Sequence, residues 1–117
     1  MNARATVLVV DDDEAIRETI AELLRDSRYD VLCAENGAQA LALLESGARP
    51  GLVILDLMMP VMSGWELIER LRRHPDHELS QIPVVILSAV GLAGEHVMIH
   101  KPVEIDLLLG TVERYLA

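Results

Sequence analysis

Short apolar runs alternate along this chain with longer stretches of helical periodicity. The runs predict five strands, at Thr6–Val10, Val31–Ala34, Leu52–Leu55, Pro83–Leu87 and His96–Ile99. Apolar residues at helical spacing predict four helices, at Glu14–Ser27, Ala38–Ser46, Gly64–His74 and Val103–Leu116. Strands one, three and four are apolar on both faces, as parallel strands covered by helices are. The pattern therefore predicts a three-layer α/β protein with an open parallel sheet.

Composition narrows the class of protein. The chain has 117 residues, is 51% hydrophobic and carries a formal charge of −9, so we expect one acidic globular domain over residues 1–117. The acidic balance argues against direct binding of nucleic acid by this domain. No apolar segment reaches the length of a membrane span, and the first ten residues lack the features of a signal peptide. We therefore expect no membrane association and a cytoplasmic location, either as a stand-alone domain or with an output domain removed.

Polar residues stand where the predicted strands end. Asp11 and Asp12 follow the first strand, Asp56 follows the third, Ser88 follows the fourth and Lys101 follows the fifth. The carboxyl ends of parallel strands meet at one edge of an open sheet, which is where such sheets bind ligands. We therefore expect these five side chains to converge on a single site.

The run of four acids after the first strand has two interpretations. Asp13 and Glu14 fit the start of a helix, where acids favour the positive end of the helix dipole. Asp11 and Asp12 are harder to explain in that way, because adjacent like charges destabilise one another without a compensating cation. Lys101 together with a bound divalent ion would compensate them. Oxygen ligands that are few in number suit Mg²⁺.

The other three residues of the expected site also have ordinary explanations. Asp56 has apolar neighbours on both sides and could cap the next helix, although Ser63 is better placed to do so. Ser88 could cap a turn, and Lys101 before a proline could simply point into solvent at a strand end. Their convergence on one edge favours a functional interpretation.

Four segments together carry a resemblance to a known family. They are VLVVDDD (Val7–Asp13), LVILDLMMPVMSGWEL (Leu52–Leu67), VVILSA (Val84–Ala89) and HKP (His100–Pro102). In this order they resemble the receiver domain of two-component response regulators over essentially the whole chain. The resemblance implies a CheY-like, flavodoxin-like fold with strand order 2-1-3-4-5.

The resemblance also implies roles for the converging residues. Asp56 would accept a phosphoryl group from a histidine kinase or a histidine phosphotransfer protein. Mg²⁺ would be held by Asp11, Asp12, Asp56 and the backbone carbonyl of Met58. The phosphorylated domain would then switch protein–protein interactions with a downstream target that the sequence does not name.

Ser88 and Lys101 would complete this site by binding the phosphoryl oxygens. Phosphoryl transfer needs alignment and neutralisation of oxygen charge, which a metal, an ammonium and a hydroxyl supply. A carboxylate nucleophile divides the transfer into two steps. No turnover of a separate substrate is expected, only Mg²⁺-dependent self-phosphorylation from a donor and self-dephosphorylation.

The chain departs from the family pattern at two places. Met98 stands where receivers usually carry a Tyr or Phe that acts as a rotamer switch. Only twelve residues separate Ser88 from Lys101, including Gly91 and Gly94, too few for the usual crossover helix. We therefore expect the family's fourth helix, between strands four and five, to be missing or reduced, and the usual receiver dimer across that face not to form.

Three other classes of protein are alternatives to a receiver that is switched by phosphorylation. A degenerate receiver would act as a protein-interaction module that phosphorylation does not switch. A phosphatase of the haloacid dehalogenase type would need a second Asp where this chain has Met58. A dinucleotide-binding domain would need a glycine-rich loop after the first strand, where this chain is acidic.

Overall fold

The computed structural model describes residues 5–89 and 96–116. Its strands are β1 (Thr6–Val10), β2 (Asp30–Ala34), β3 (Leu52–Asp56), β4 (Val84–Ser88) and β5 (Val97–His100). Its helices are α1 (Glu14–Asp26), α2 (Gly37–Glu45), α3 (Gly64–Arg72), α4 (His77–Ser80) and α5 (Ile105–Leu116).

The five strands form one parallel sheet in the order β2-β1-β3-β4-β5. This confirms the predicted α/β class, the strand order and the flavodoxin-like architecture. β3 and β4 are buried along their whole length, as their continuous apolar sequences predict. The register pairs Asp56 at the end of β3 with Leu87 on β4, and Ser88 with His100 on β5, so the strands end nearly level at one edge.

Two hydrophobic clusters cover the two faces of the sheet. One face packs against α2, α3 and α4, with Leu44, Leu67 and Leu79 fully or almost fully buried. The other face packs against α1 and α5, with Leu24 and Leu108 fully buried. The side chains along each inner strand point alternately to the two faces, which is why these strands lack polar positions.

Side-chain caps set the starts of α1 and α3. Asp13 caps α1 by accepting a hydrogen bond from the backbone N–H of Ile16 at 3.1 Å, and Ser63 caps α3 in the same way through Glu66 at 3.2 Å. The ordinary interpretation of Asp13 therefore holds, and the helix cap after β3 is supplied by Ser63 and not by Asp56.

The sequence pattern did not predict α4, a single turn that begins after Pro75. Asp76 caps it, and Arg72 donates to the backbone carbonyls of Ser80 and Ile82 where it ends. These contacts come from tertiary packing, so periodicity could not reveal them. α4 precedes β4 and is not the crossover helix of the family.

The predicted shortening of the β4–β5 crossover concerns residues 90–95, which lie outside the described residues. β4 ends at Ser88 and β5 begins at Val97, so the connection spans residues 89–96. None of the helices within 5–89 and 96–116 is long and apolar enough to cross a membrane.

Candidate functional site

The carboxyl edge of the sheet gathers the polar residues at the strand ends. Asp56 and Ser88 are the last residues of β3 and β4, and both side chains are buried. Asp11 and Asp12 follow β1, and Lys101 follows β5. The structure therefore places all five residues at one edge.

Three carboxylates lie close enough to share one cation. One oxygen from each of Asp11, Asp12 and Asp56 lies within 4.8 Å of the other two. Asp11 is fully buried and Asp56 is 5% exposed, whereas Asp12 is exposed to solvent. Two buried acids and one exposed acid form an oxygen-rich cluster that could bind a divalent metal ion.

Lys101 supplies a positive charge between the two buried acids. Its Nζ lies 2.9 Å from Oδ2 of Asp11 and 3.4 Å from Oδ2 of Asp56. The Oδ2 atom of Asp11 is completely buried, and this ammonium is its one partner within the described residues. The Lys101 backbone N–H also donates to the Ser88 carbonyl at 2.9 Å, which ties the residue to the end of β4.

The electrostatics of the site leave an excess of negative charge. Burial, and then the charge of Asp11, raise the pKa of Asp56 above its ordinary value, although Lys101 and the Met58 N–H oppose this. Burial alone would lower the pKa of Lys101, but the hydrogen bond and charge of Asp11, with the charge of Asp56, raise it. The lysine is therefore charged, and one ammonium faces three carboxylates.

The loop after β3 fixes the position of Asp56. The Met58 N–H donates to Oδ1 of Asp56 at 3.3 Å, and the Gly64 N–H donates to the Leu57 carbonyl at 3.1 Å. A Cβ on Gly64 would overlap the carbonyl oxygen of Asp56 and lie 2.9 Å from Cα of Leu57. The glycine at the start of α3 is therefore required because the helix abuts the backbone of Asp56.

Two exposed apolar residues border this loop. The Met58 side chain is 74% exposed, and Val61 is 81% exposed with a positive φ of 68°. A β-branched residue in the left-handed region is strained. The Met58 carbonyl, which the resemblance assigns to the metal, belongs to this same loop.

One residue beside the site escaped the sequence analysis. Arg17 of α1 is only 8% exposed, and its Nη1 donates to the backbone carbonyl of Asp11 at 2.9 Å. A signal did exist in the sequence, because Arg17 falls on the same helical face as the buried Ile20, Ala21 and Leu24. A charge on an apolar face needs a partner, and here the partner is the end of β1.

The position of the usual aromatic switch is held by Met98 on β5. Its side chain is half-buried and packs against the cluster beneath α2 and α3. The rings of Trp65 and His96 form a tilted pair whose centroids are 6.4 Å apart.

Comparison with known proteins agrees with the fold. The family described as "Response regulator receiver domain" matches residues 7–113. The phosphate regulon transcriptional regulatory protein PhoB of Pseudomonas aeruginosa is 44% identical over 86 residues, which are 74% of this chain and 36% of that protein. The two-component response regulator ORR11 of Oryza sativa is 41% identical over 83 residues, or 71% of this chain and 55% of that protein.

Solved structures give the same result. The chemotaxis response regulator CheY4 of Vibrio cholerae superposes with a TM-score of 0.85 and 31% identity, covering 97% of this chain and all of that one. The receiver domain of the hybrid histidine kinase CckA superposes with a TM-score of 0.83 and 32% identity, at 97% and 100% coverage.

The doubly wound parallel sheet, the acidic cluster at its carboxyl edge and the likeness to CheY4 together place the chain in the class of CheY-like domains. The chain belongs to the response regulator receiver domain family of two-component systems. It spans about a third to a half of the length of the two curated relatives described above.

Proposed function

We propose that this domain accepts a phosphoryl group on Asp56 from a histidine kinase or a histidine phosphotransfer protein, in a reaction that depends on Mg²⁺. The observation that carries the proposal is the setting of the Asp56 carboxylate. It is buried at a strand end, with oxygens of Asp11 and Asp12 within 4.8 Å and the Lys101 ammonium at 3.4 Å.

The chemistry assigned to Asp56 is a simple transfer. A carboxylate oxygen attacks phosphorus, an O–P bond forms, and the N–P bond to the donor histidine breaks. The product is an acyl phosphate. Water later hydrolyses it to free phosphate and restores the carboxylate.

The neighbouring residues neutralise the charge of the phosphoryl oxygens. Lys101 is already held at the Asp56 carboxylate and can pair with a phosphoryl oxygen with little rearrangement. Ser88, buried at the end of β4, is assigned the role of hydrogen-bonding another phosphoryl oxygen. These two residues position and stabilise the group that is transferred.

The acid cluster fits a small, hard cation. Asp11, Asp12 and Asp56, with the Met58 carbonyl, would hold Mg²⁺, which binds through few protein oxygens and keeps several waters. When bound, the ion would neutralise the excess negative charge of the cluster and draw the phosphoryl oxygens to Asp56.

Phosphorylation by a small-molecule donor tests the proposal. Incubation with acetyl phosphate or phosphoramidate and Mg²⁺ should add one phosphoryl group by intact mass, and EDTA should prevent it. Asp56→Asn should abolish the adduct. Asp13→Asn is the matched control, because Asn can still cap α1 and the position lies outside the cluster. An adduct that persists in Asp56→Asn would contradict the assignment.

Metal binding by the acids can be tested separately. Asp12→Ala should weaken Mg²⁺ binding, since it removes one of the three converging carboxylates. An unchanged Mg²⁺ affinity would place the metal elsewhere.

A second candidate function rests on Met98. A packed methionine replaces the usual switch aromatic, so the domain could be a degenerate receiver whose surface does not respond to phosphorylation. Binding curves for candidate kinases and targets, with and without beryllofluoride, separate the two functions. A partner affinity that changes with beryllofluoride supports the phosphorylation switch, and an unchanged affinity supports the fixed interaction module.

Several broader features belong to the same proposal. Residues 1–117 are taken as a single receiver domain acting in the cytoplasm, with a protein as its downstream target and no direct contact with nucleic acid. The short connection from β4 to β5 argues against the usual receiver dimer. Sedimentation with beryllofluoride tests this, and a dimer abolished by substitutions on the outer face of α5 would contradict it.

A further inference from the structure

Arg17 is a charged residue in a place where charge is unfavourable. It lies at the end of the first turn of α1, on the face that packs against the sheet, and it is 8% exposed. Arginine is rarely buried to this degree unless its guanidinium has a partner. An aliphatic residue at this position would fill the same face of the helix without that cost, so the guanidinium needs an explanation beyond packing.

The partner of Arg17 is the backbone at the point where β1 ends. Its Nη1 donates to the Asp11 carbonyl at 2.9 Å, in a fully buried hydrogen bond. The Asp11 N–H donates to the Ala34 carbonyl at 3.2 Å, and its Oδ1 accepts from the Asp13 N–H at 2.9 Å. With Lys101 at Oδ2, Asp11 is held at its amide, its carbonyl and both carboxylate oxygens.

The Arg17 hydrogen bond constrains the peptide that joins Asp11 to Asp12. This peptide determines where both acidic side chains point, because Asp11 and Asp12 diverge from its two ends. Arg17 itself does not belong to the acid cluster, and the hydrogen bond that the described residues show between it and these acids is to the Asp11 backbone carbonyl.

We propose that Arg17 is a positioning residue for the divalent-cation site: it holds the Asp11–Asp12 peptide so that both carboxylates meet Asp56. The inference rests on the proposed function, since it presumes that these acids bind a metal. Removal of a group that orients metal ligands without contacting the metal typically lowers the metal affinity about 10- to 100-fold.

The charge of Arg17 and its positioning role predict opposite changes in metal affinity when the residue is removed. A guanidinium beside an acid cluster repels a divalent cation, so its removal should tighten metal binding if charge were its only influence. If Arg17 positions the acids, its removal should weaken binding despite the loss of repulsion. The sign of the change therefore separates the two explanations.

The experiment compares the wild-type chain with Arg17→Met and Arg25→Met. Met keeps the length and apolar volume of the buried arginine stem but removes the donor. Arg25 lies on the same helix and is exposed, so its substitution makes the same change of charge without touching Asp11. The affinity for Mn²⁺ is measured from the free-ion EPR signal, and that for Mg²⁺ by calorimetry. The free energy of unfolding in EDTA is measured alongside.

The expected result is a loss of about tenfold or more in both affinities for Arg17→Met. Arg25→Met should stay within about twofold of wild type, since exposed charges are screened. If Arg17→Met does not fold, Arg17→Leu, which also lacks a donor, takes its place with the same expected loss.

Unchanged or tighter metal binding by a folded Arg17 variant would overturn the inference, even if the variant were less stable. Failure of the wild-type chain to bind either ion would overturn the proposed metal site and the inference with it. The two failures are distinguishable because the first leaves metal binding by the wild-type chain intact.

Discussion

Replacement of Asp56 by Asn should stabilise the metal-free domain at neutral pH. The carboxylate is buried, and burial with the charge of Asp11 raises its pKa above the ordinary value of 3.8. A carboxylate whose pKa is raised by folding destabilises the folded state wherever it is ionised. Asn keeps the size and can still interact with the Met58 N–H and the Lys101 ammonium.

Three contributions of differing sign set the effect of the ionised Asp56 on the free energy of unfolding. Repulsion from Asp11, whose oxygen lies within 4.8 Å, amounts to at least about 3.5 kcal/mol at an effective dielectric constant of about 20. Attraction to Lys101 at 3.4 Å amounts to about 5 kcal/mol on the same scale. Desolvation of a buried carboxylate costs several kcal/mol and exceeds the small difference between them. We expect Asp56→Asn to be more stable by about 1–2 kcal/mol, within the range of ordinary single substitutions.

Urea unfolding in EDTA, followed by circular dichroism, measures this difference. For an m-value of about 1.5 kcal/mol/M, the midpoint should rise by about 1 M. Glu22→Gln is the control, because it removes an exposed acid from α1 and should change stability by less than about 0.5 kcal/mol.

The pH dependence gives a second check on the same substitution. Below the ordinary pKa of Asp56, the folded and unfolded states are both protonated, so the side chain costs no stability. As the pH rises to the higher pKa of the folded state and above it, the ionised carboxylate destabilises the folded state. The advantage of Asp56→Asn should therefore be full near pH 7.5 and shrink as the pH falls toward 4. A variant no more stable than wild type at pH 7.5, or an advantage undiminished near pH 4.5, would refute the reasoning.

Four further predictions concern the loop after β3 and three other parts of the fold. Arg28 has a φ of 72° just after α1, where glycine is favoured, so Arg28→Gly should raise the free energy of unfolding in urea by about 0.5–1 kcal/mol. A lower free energy of unfolding would show that the arginine makes a compensating contact. Gly110 is exposed within α5, and apart from the nearby backbone of its own helix no atom of the described residues lies within 4 Å of an added Cβ. Gly110→Ala should therefore stabilise the fold by about 0.5–1 kcal/mol in the same assay, and destabilisation would contradict this reason. Gly64→Ala should instead lower the free energy of unfolding by about 2 kcal/mol or more and reduce phosphorylation by acetyl phosphate, because the added Cβ meets the Asp56 backbone. Wild-type stability and wild-type phosphorylation would contradict this steric reason. Burial, and then the charge of Glu18, raise the pKa of the Cys33 thiol, so iodoacetamide at pH 7.5 should alkylate the folded chain more slowly than the urea-unfolded chain, and equal rates would contradict this.

The sequence by itself determined the layers of the fold and the residues gathered at the sheet edge. β1 and the acids that follow it are predicted by an apolar run that stops at Asp11, since parallel strands buried on both faces have almost continuously apolar sequences. The position of Asp56 follows in the same way from the buried residues of β3 that precede it. Local signals such as the Ser63 cap could also be predicted, because a cap depends on residues only three positions apart.

Tertiary structure alone decided the interactions that join distant parts of the chain. The ion pair between Lys101 and Asp11 spans most of the chain, and no periodicity encodes a distance of 2.9 Å between them. The single turn of α4 depends on Arg72 reaching the carbonyls that follow it. The helical spacing of Arg17 with Ile20 and Leu24 indicates an arginine on the inner face of α1, but only the fold decides that its guanidinium meets the end of β1.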